Sequence, residues 1–154
     1  MIKGLSQEEK AAMLPLFKGS RAALEIIDIL ISITHIWDDL IDKDKPVTDA
    51  EINSVFYNAL VTLPRNPLFQ MNQERFVTTL ENAIFDWMTS CKMETCTMQN
   101  LRAAWVLRTS LSNITVQLAQ IVGGFEHAQA VSDQIKNGIL DDWDEYRQEH
   151  ERVN

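Results

Sequence analysis

An all-α fold, an antiparallel bundle of five to six helices, is what this sequence predicts, and three observations carry the prediction. Only 5 glycines and 4 prolines occur among 154 residues, too few for the many turns of a β-sandwich or barrel. Apolar residues recur at helical spacing in several segments, two of which are preceded by a capping box. Short polar breaks rather than long linkers separate these segments, which points to a single domain over residues 1–154.

The elements follow in order. Ser6-Gln7-Glu8-Glu9 has the S-x-x-E form in which hydroxyl and carboxylate each satisfy a free N–H at a helix start. A short helix follows to about Leu14, where Pro15 blocks continuation. After Gly19-Ser20 a long second helix is expected from about Arg21 to Asp42, closed by the polar turn Lys43-Asp44-Lys45-Pro46. Thr48-Asp49-Ala50-Glu51 is a second capping box; the third helix behind it carries Ile52, Val55, Phe56, Ala59, Leu60 and Leu63 and ends at Pro64. Arg65-Asn66-Pro67 reads as a loop. A fourth helix carries Phe69, Phe76, Leu80, Ala83, Ile84, Trp87 and Met88, and Ser90 to Thr97 reads as irregular. A fifth helix is expected over about Met98 to Val122, Gly123-Gly124 breaks it, and a sixth runs from about Phe125 to Arg152. The second, fifth and sixth helices would be about 33–42 Å long at ~1.5 Å per residue and would form the spine.

Acids outnumber bases, 22 to 14, for a formal charge of −8. Such a chain is repelled by phosphate backbones and anionic lipid, which argues against direct nucleic-acid binding and favours basic proteins or cations. The most apolar stretch, 22–41, is interrupted by Glu25, Asp28, His35, Asp38 and Asp39, too polar for a membrane span. No signal peptide is visible at the N-terminus. Cys91 and Cys96 make neither a disulfide framework nor a C-x-x-C ribbon and are expected as free thiols. Together these predict a soluble cytoplasmic protein.

The second helix holds the one constellation with chemical content. At ~100° per residue, Arg21, Glu25, Asp28, Ser32, His35, Asp39 and Asp42 fall within an arc of about 100°, with Asp38 just outside. The rest of the surface is apolar save Thr34. Either this stripe faces water, or it faces a cleft where carboxylates and an imidazole hold a cation. Asp38, Asp39 and Asp42 lie in the last turn, where the helix dipole disfavours negative charge. Lys43 and Lys45 offset that; Mg²⁺ or Mn²⁺ would offset it better, since oxygen ligands suit those ions.

Asp38-Asp39-Leu40-Ile41-Asp42 resembles the D-D-x-x-D motif of type I isoprenoid synthases, all-helical enzymes in which it binds Mg²⁺ that grips a substrate diphosphate. Asp141-Asp142-Trp143-Asp144-Glu145 would then be the partner motif. The resemblance implies metal ligands among His35, Asp38, Asp39, Asp42, Asp141 and Asp142. It covers about ten residues, in a chain about half the length usual for that family. Glu25-Ile26-Ile27-Asp28 is similar to the E-x-x-D of all-helical nucleoside triphosphate pyrophosphatases. The E-E-x-x-E expected with it is incomplete, because Ala12 stands where its third glutamate would be. An EF-hand fails at once, with Val47 and Asn53 at its glycine and glutamate positions. The sequence has no glycine-rich phosphate loop.

Residues 141–152 hold six acids and two arginines, the pattern of a solvated helix. Trp143 and Tyr146 among them are either inward packing or an exposed, acid-rimmed docking pair. Finally, His35 through Pro46, with Ile52-Asn53 and Leu63 through Pro67, looks like short proteins of tailed bacteriophages. That resemblance implies a protein made in an infected host and acting on a host or phage protein. The expectation is therefore a binding protein whose partner is a protein or a second copy. The alternative is a Mg²⁺- or Mn²⁺-dependent enzyme acting on a diphosphate.

Overall fold

The computed structural model describes residues 4–151, and their fold is all-α, with no strand among them. The chain divides into two compact units, Met1–Gln73 and Glu74–Asn154, within what reads from the sequence as one domain.

In the first unit, Ser6 caps α1 (Gln7–Met13) with both halves of the capping box in place. Pro15 then forces a 3₁₀ turn, Leu14–Phe17, that delivers Phe17 to the core. Helix α2 (Arg21–Asp42) has the expected bounds, capped by Ser20 and closed by Lys43 in the left-handed conformation. It buries Ala23, Ile26, Ile27, Ile29, Leu30 and Ile36. Helix α3 (Asp49–Tyr57), capped by Thr48, does not stop at Pro64. It passes through a π turn, Asn58–Thr62, into the short α4 (Leu63–Arg65). A proline in a straight α-helix lacks a donor and presses on the carbonyl four residues back, here Leu60; the wider π turn gives its ring room. It also resets the helix face. Eight α-helical residues would leave Leu63 about 80° round from Val55; with the π turn both are buried. Phe56 and Leu60, expected on the apolar face, are exposed instead.

Asn66 ends this run. It is buried, its side chain accepts the N–H groups of Leu68 and Phe69 to cap α5 (Pro67–Met71), and its amide donates to Ala22 O at 2.9 Å on α2. The predicted fourth helix therefore starts as a separate short element. Asn72 breaks it from the next by turning its amide onto Leu68 O at 2.9 Å.

The second unit holds α6 (Gln73–Met93), α7 (Met98–Leu107), α8 (Ser112–Gly123), α9 (Phe125–Ile139) and α10 (Trp143–Glu151). Helix α6 runs to Met93, through residues expected to be irregular. Ser90 is tolerated at a buried position because its hydroxyl donates to Trp87 O at 2.7 Å. The fifth predicted helix is interrupted at 108–111, where Thr109 Oγ1 donates to Val106 O at 2.8 Å. The sixth is interrupted at 140–142, and its last expected residue, Arg152, lies outside the described residues. Gly124, at φ 86° and ψ 176°, makes the corner that folds α9 back on α8. The core here is Phe76, Leu101, Ile114, Leu118, Ile135 and Tyr146, with small residues between.

Candidate functional site

The polar stripe of α2 is exposed at Arg21, Glu25, His35 and Asp42 and buried or half-buried at Asp28, Ser32 and Asp39. Its middle is covered by the chain's own N-terminal segment. Asp28 Oδ1 accepts the Leu5 N–H at 2.7 Å, and its Oδ2 meets Lys10 Nζ at 2.8 Å. Gly4 lies so close that a Cβ there would stand 2.5 Å from Asp28 Oδ1. Ser32 is buried and donates to Asp28 O at 2.8 Å. One turn earlier, Glu25 Oε2 accepts from Asn66 Nδ2 at 2.7 Å. Ser6, through its backbone N–H and then its hydroxyl, holds the Glu9 carboxyl below its ordinary pKa.

Of the predicted metal ligands in this unit, Asp39 is buried, Asp38 half-buried, and His35 and Asp42 exposed. Lys45 Nζ stands 3.9 Å from Asp39 Oδ1. A lysine ammonium thus approaches one of the expected metal ligands, Asp39, as Lys10 approaches Asp28 further up the stripe. Asp141 and Asp142 belong to the other unit and are exposed. Asp142 caps α10, its Oδ1 accepting the N–H groups of Asp144 at 2.9 Å and Glu145 at 3.0 Å. Asp141 gives its carbonyl to Trp105 Nε1 at 2.9 Å and its carboxylate to Arg108 Nε at 3.8 Å. Among the described residues no three His, Cys, Asp or Glu side chains come together as one metal site.

Of the two readings open for the aromatic pair, inward packing is the one seen: Tyr146 is buried and Trp143 half-buried. Tyr146 is 2 % exposed, and Trp143 packs edge-on against Trp105 with centroids 5.4 Å apart, the Arg102 guanidinium 5.7 Å from its ring centroid. The reason is a residue the sequence reading missed. Glu94, just past the end of α6, accepts the Tyr146 hydroxyl at 2.6 Å and meets Arg108 Nη1 at 3.4 Å and His150 Nε2 at 3.4 Å. Burial works against the Arg108 charge, but Glu94 and Asp141 more than offset it, so its pKa is raised. Burial pushes the Tyr146 pKa up, and the Glu94 carboxylate pushes it further. The only sequence signal for this clasp was the pair Trp143 and Tyr146, two aromatics set three apart among charged and polar residues.

Between α6, α8 and α9 lies an open groove of about 570 Å³ lined by Thr79, Asn82, Gln117 and Lys136. Lys136 donates to Ser112 Oγ at 2.7 Å and to Asn113, and burial lowers its pKa. Both partners are neutral.

The other feature on the surface is uncovered apolar side chains. On α3 and its π turn, Phe56 is 60 %, Tyr57 59 % and Leu60 72 % exposed. Helix α6 carries two rows at alternating three- and four-residue steps. Phe76, Leu80, Ala83, Trp87 and Ser90 form the inward row, buried or half-buried throughout. Glu74, Val77, Glu81, Ile84, Met88 and Cys91 form the outward row, and every one of them is exposed. No helix among the described residues is long and apolar enough to cross a membrane. Compared with models of known protein families, with curated proteins and with solved structures, the chain matches none.

Proposed function

We propose that this chain is a protein-binding module that works in the cytoplasm, on a host or phage protein if its resemblance to phage proteins reflects its origin. The observation that carries the reading is the exposed trio Phe56, Tyr57 and Leu60, two aromatics and a leucine on one helix face. Large apolar side chains left together in water favour a partner that covers them. The π turn Asn58–Thr62 follows directly on Tyr57 and contains Leu60, and π turns concentrate at functional positions. The chain's charge of −8 favours a partner with a basic rim. The stripe carboxylates support binding over metal chemistry, because Asp28, Glu25 and Asp39 already face Lys10, Asn66 and Lys45.

The test is site-specific photo-crosslinking in the cell of origin. A photoreactive residue at Phe56 is expected to give one discrete protein adduct, and the same residue at exposed Glu8 none. No adduct from Phe56 overturns the reading. The metal alternative makes a separate prediction. Millimolar Mg²⁺ or Mn²⁺ with pyrophosphate would raise the melting temperature, and Asp38→Asn with Asp42→Asn would abolish the rise.

A further inference from the structure

The outward row of α6 has the geometry of half a coiled coil. Its steps are three, four, three, four and three, the spacing that keeps a seam facing a partner helix. The inward row of the same helix uses the same spacing to meet its own unit, so α6 is built to be packed from two sides. Only one side is covered. Val77 is 49 %, Ile84 38 % and Met88 46 % exposed, and Phe85 beside them 61 %.

Two acids stand in this row, Glu74 and Glu81, seven residues apart and therefore at equivalent seam positions. Among the described residues neither takes part in an ion pair. A helix laid along the row would desolvate both carboxylates, which is costly unless each meets a cation. We infer that this row is the seam for one amphipathic helix of another protein, apolar at one seam position and Lys or Arg at the other, the basic residues seven apart. This rests on the binding reading above and names the chemistry of a partner.

A second copy of the chain fits poorly. A parallel pair in register sets Glu74 against Glu74 and Glu81 against Glu81. An antiparallel pair centred on the row brings the two Glu81 side chains within about one helical turn. Anionic lipid is repelled by the same acids.

The experiment uses the full chain and two synthetic helical peptides of three heptads. Both carry Leu at one seam position; at the other, one carries Lys and its control Glu. By fluorescence anisotropy the Lys peptide is expected to bind at least tenfold more tightly, with an affinity that falls as salt rises. In Glu74→Lys with Glu81→Lys the order of the two peptides reverses. Glu145→Lys with Glu149→Lys makes the same change in net charge at exposed positions off the row, and there the order stays. Equal binding of both peptides, no binding of either, or reversal by the control pair overturns the inference. So does a wild-type dimer by sedimentation that the row variant dissociates. If the Phe56 adduct forms while the peptides fail, only the seam is lost; if neither appears, the binding reading falls with it.

Discussion

Tyr146 donates its hydroxyl to Glu94 Oε1 at 2.6 Å, and with that bond α10 is fastened to the residue that follows α6. The bond joins two side chains 52 residues apart in sequence. Arg108 completes it, with its guanidinium carbon 5.2 Å from the Tyr146 ring centroid and Nη1 3.4 Å from Glu94 Oε1. A docked terminal helix is thereby made part of the second unit's core, since the tyrosine ring that carries the hydroxyl is itself buried.

Removing that one hydroxyl isolates its contribution. Tyr146→Phe keeps the ring and its packing but leaves the carboxylate one donor short. A hydrogen bond to a charged group contributes about 1.5–3 kcal/mol. Partial exposure of Glu94 and its remaining partners argue for the lower half of that range. Urea unfolding should show this loss, and hydrogen exchange should show it first in residues 143–151. Unchanged exchange there would mean that α10 is held by its aromatic packing alone.

Burial of the same hydroxyl, with the Glu94 carboxylate beside it, sets an alkaline limit. The folded-state pKa of Tyr146 is raised above its ordinary value of 10.0, so the folded chain holds this proton more tightly than the unfolded chain does. Between the two values the folded state binds more protons, and stability falls as pH rises. The contribution is complete below about pH 10 and is lost on going above it. Wild type should therefore lose unfolding free energy above pH 10 more steeply than Tyr146→Phe. Parallel pH profiles for the two would remove the hydroxyl as the cause.

Asp28 makes a second prediction, on the first unit. Helix α1 buries no residue of its own. Asp28 supplies two polar contacts to the segment that carries it, one to the Leu5 N–H and one to Lys10. Asp28→Ala removes both; Asp28→Asn keeps an acceptor for Leu5 and loses the ion pair. The alanine variant should cost about 1–2 kcal/mol and the asparagine variant less, given a pair that is part-exposed. Amide exchange at residues 5–13 should accelerate in the same order, with the core of α2 unchanged. Equal exchange in both variants would show that the ion pair, and not the backbone bond, holds the segment.

What the sequence disclosed follows from what is local. The capping boxes at Ser6 and Thr48 and the full extent of Arg21–Asp42 were legible because a cap and a periodic apolar face are set by neighbours three and four residues away. Asn66 was legible in principle, since Asn-Pro supplies a cap followed by a residue suited to a first helical turn. Its bond to Glu25, 41 residues away, was not. The π turn was hidden because Phe56 and Leu60 satisfy an ideal helical face that Pro64 then rotates away. The destination of the α2 stripe was hidden too. A wheel shows which residues share an arc, but not that Lys10 and the Leu5 amide return from another element to meet it. Glu94 carried no motif at all; only the fold sets it beside Tyr146.

Two of the three glycines of α8, α9 and their corner, Gly124 and Gly138, separate backbone strain from helix propensity. Gly124 sits at φ 86° and ψ 176°, a region essentially reserved for glycine, and nothing lies within 4 Å of where its Cβ would stand. Gly124→Ala therefore meets no clash, only the backbone penalty, which is about 1–3 kcal/mol. Gly138, in the last turn of α9, also has open space around it, but its backbone is helical. Gly138→Ala there should stabilise by up to about 1 kcal/mol, because alanine gives up less freedom on folding. Thermal melts of the two variants should move in opposite directions from wild type. A Gly124→Ala protein that melts at the wild-type temperature would show that the α8–α9 corner can be made in an ordinary conformation, with the two helices free to meet at another angle.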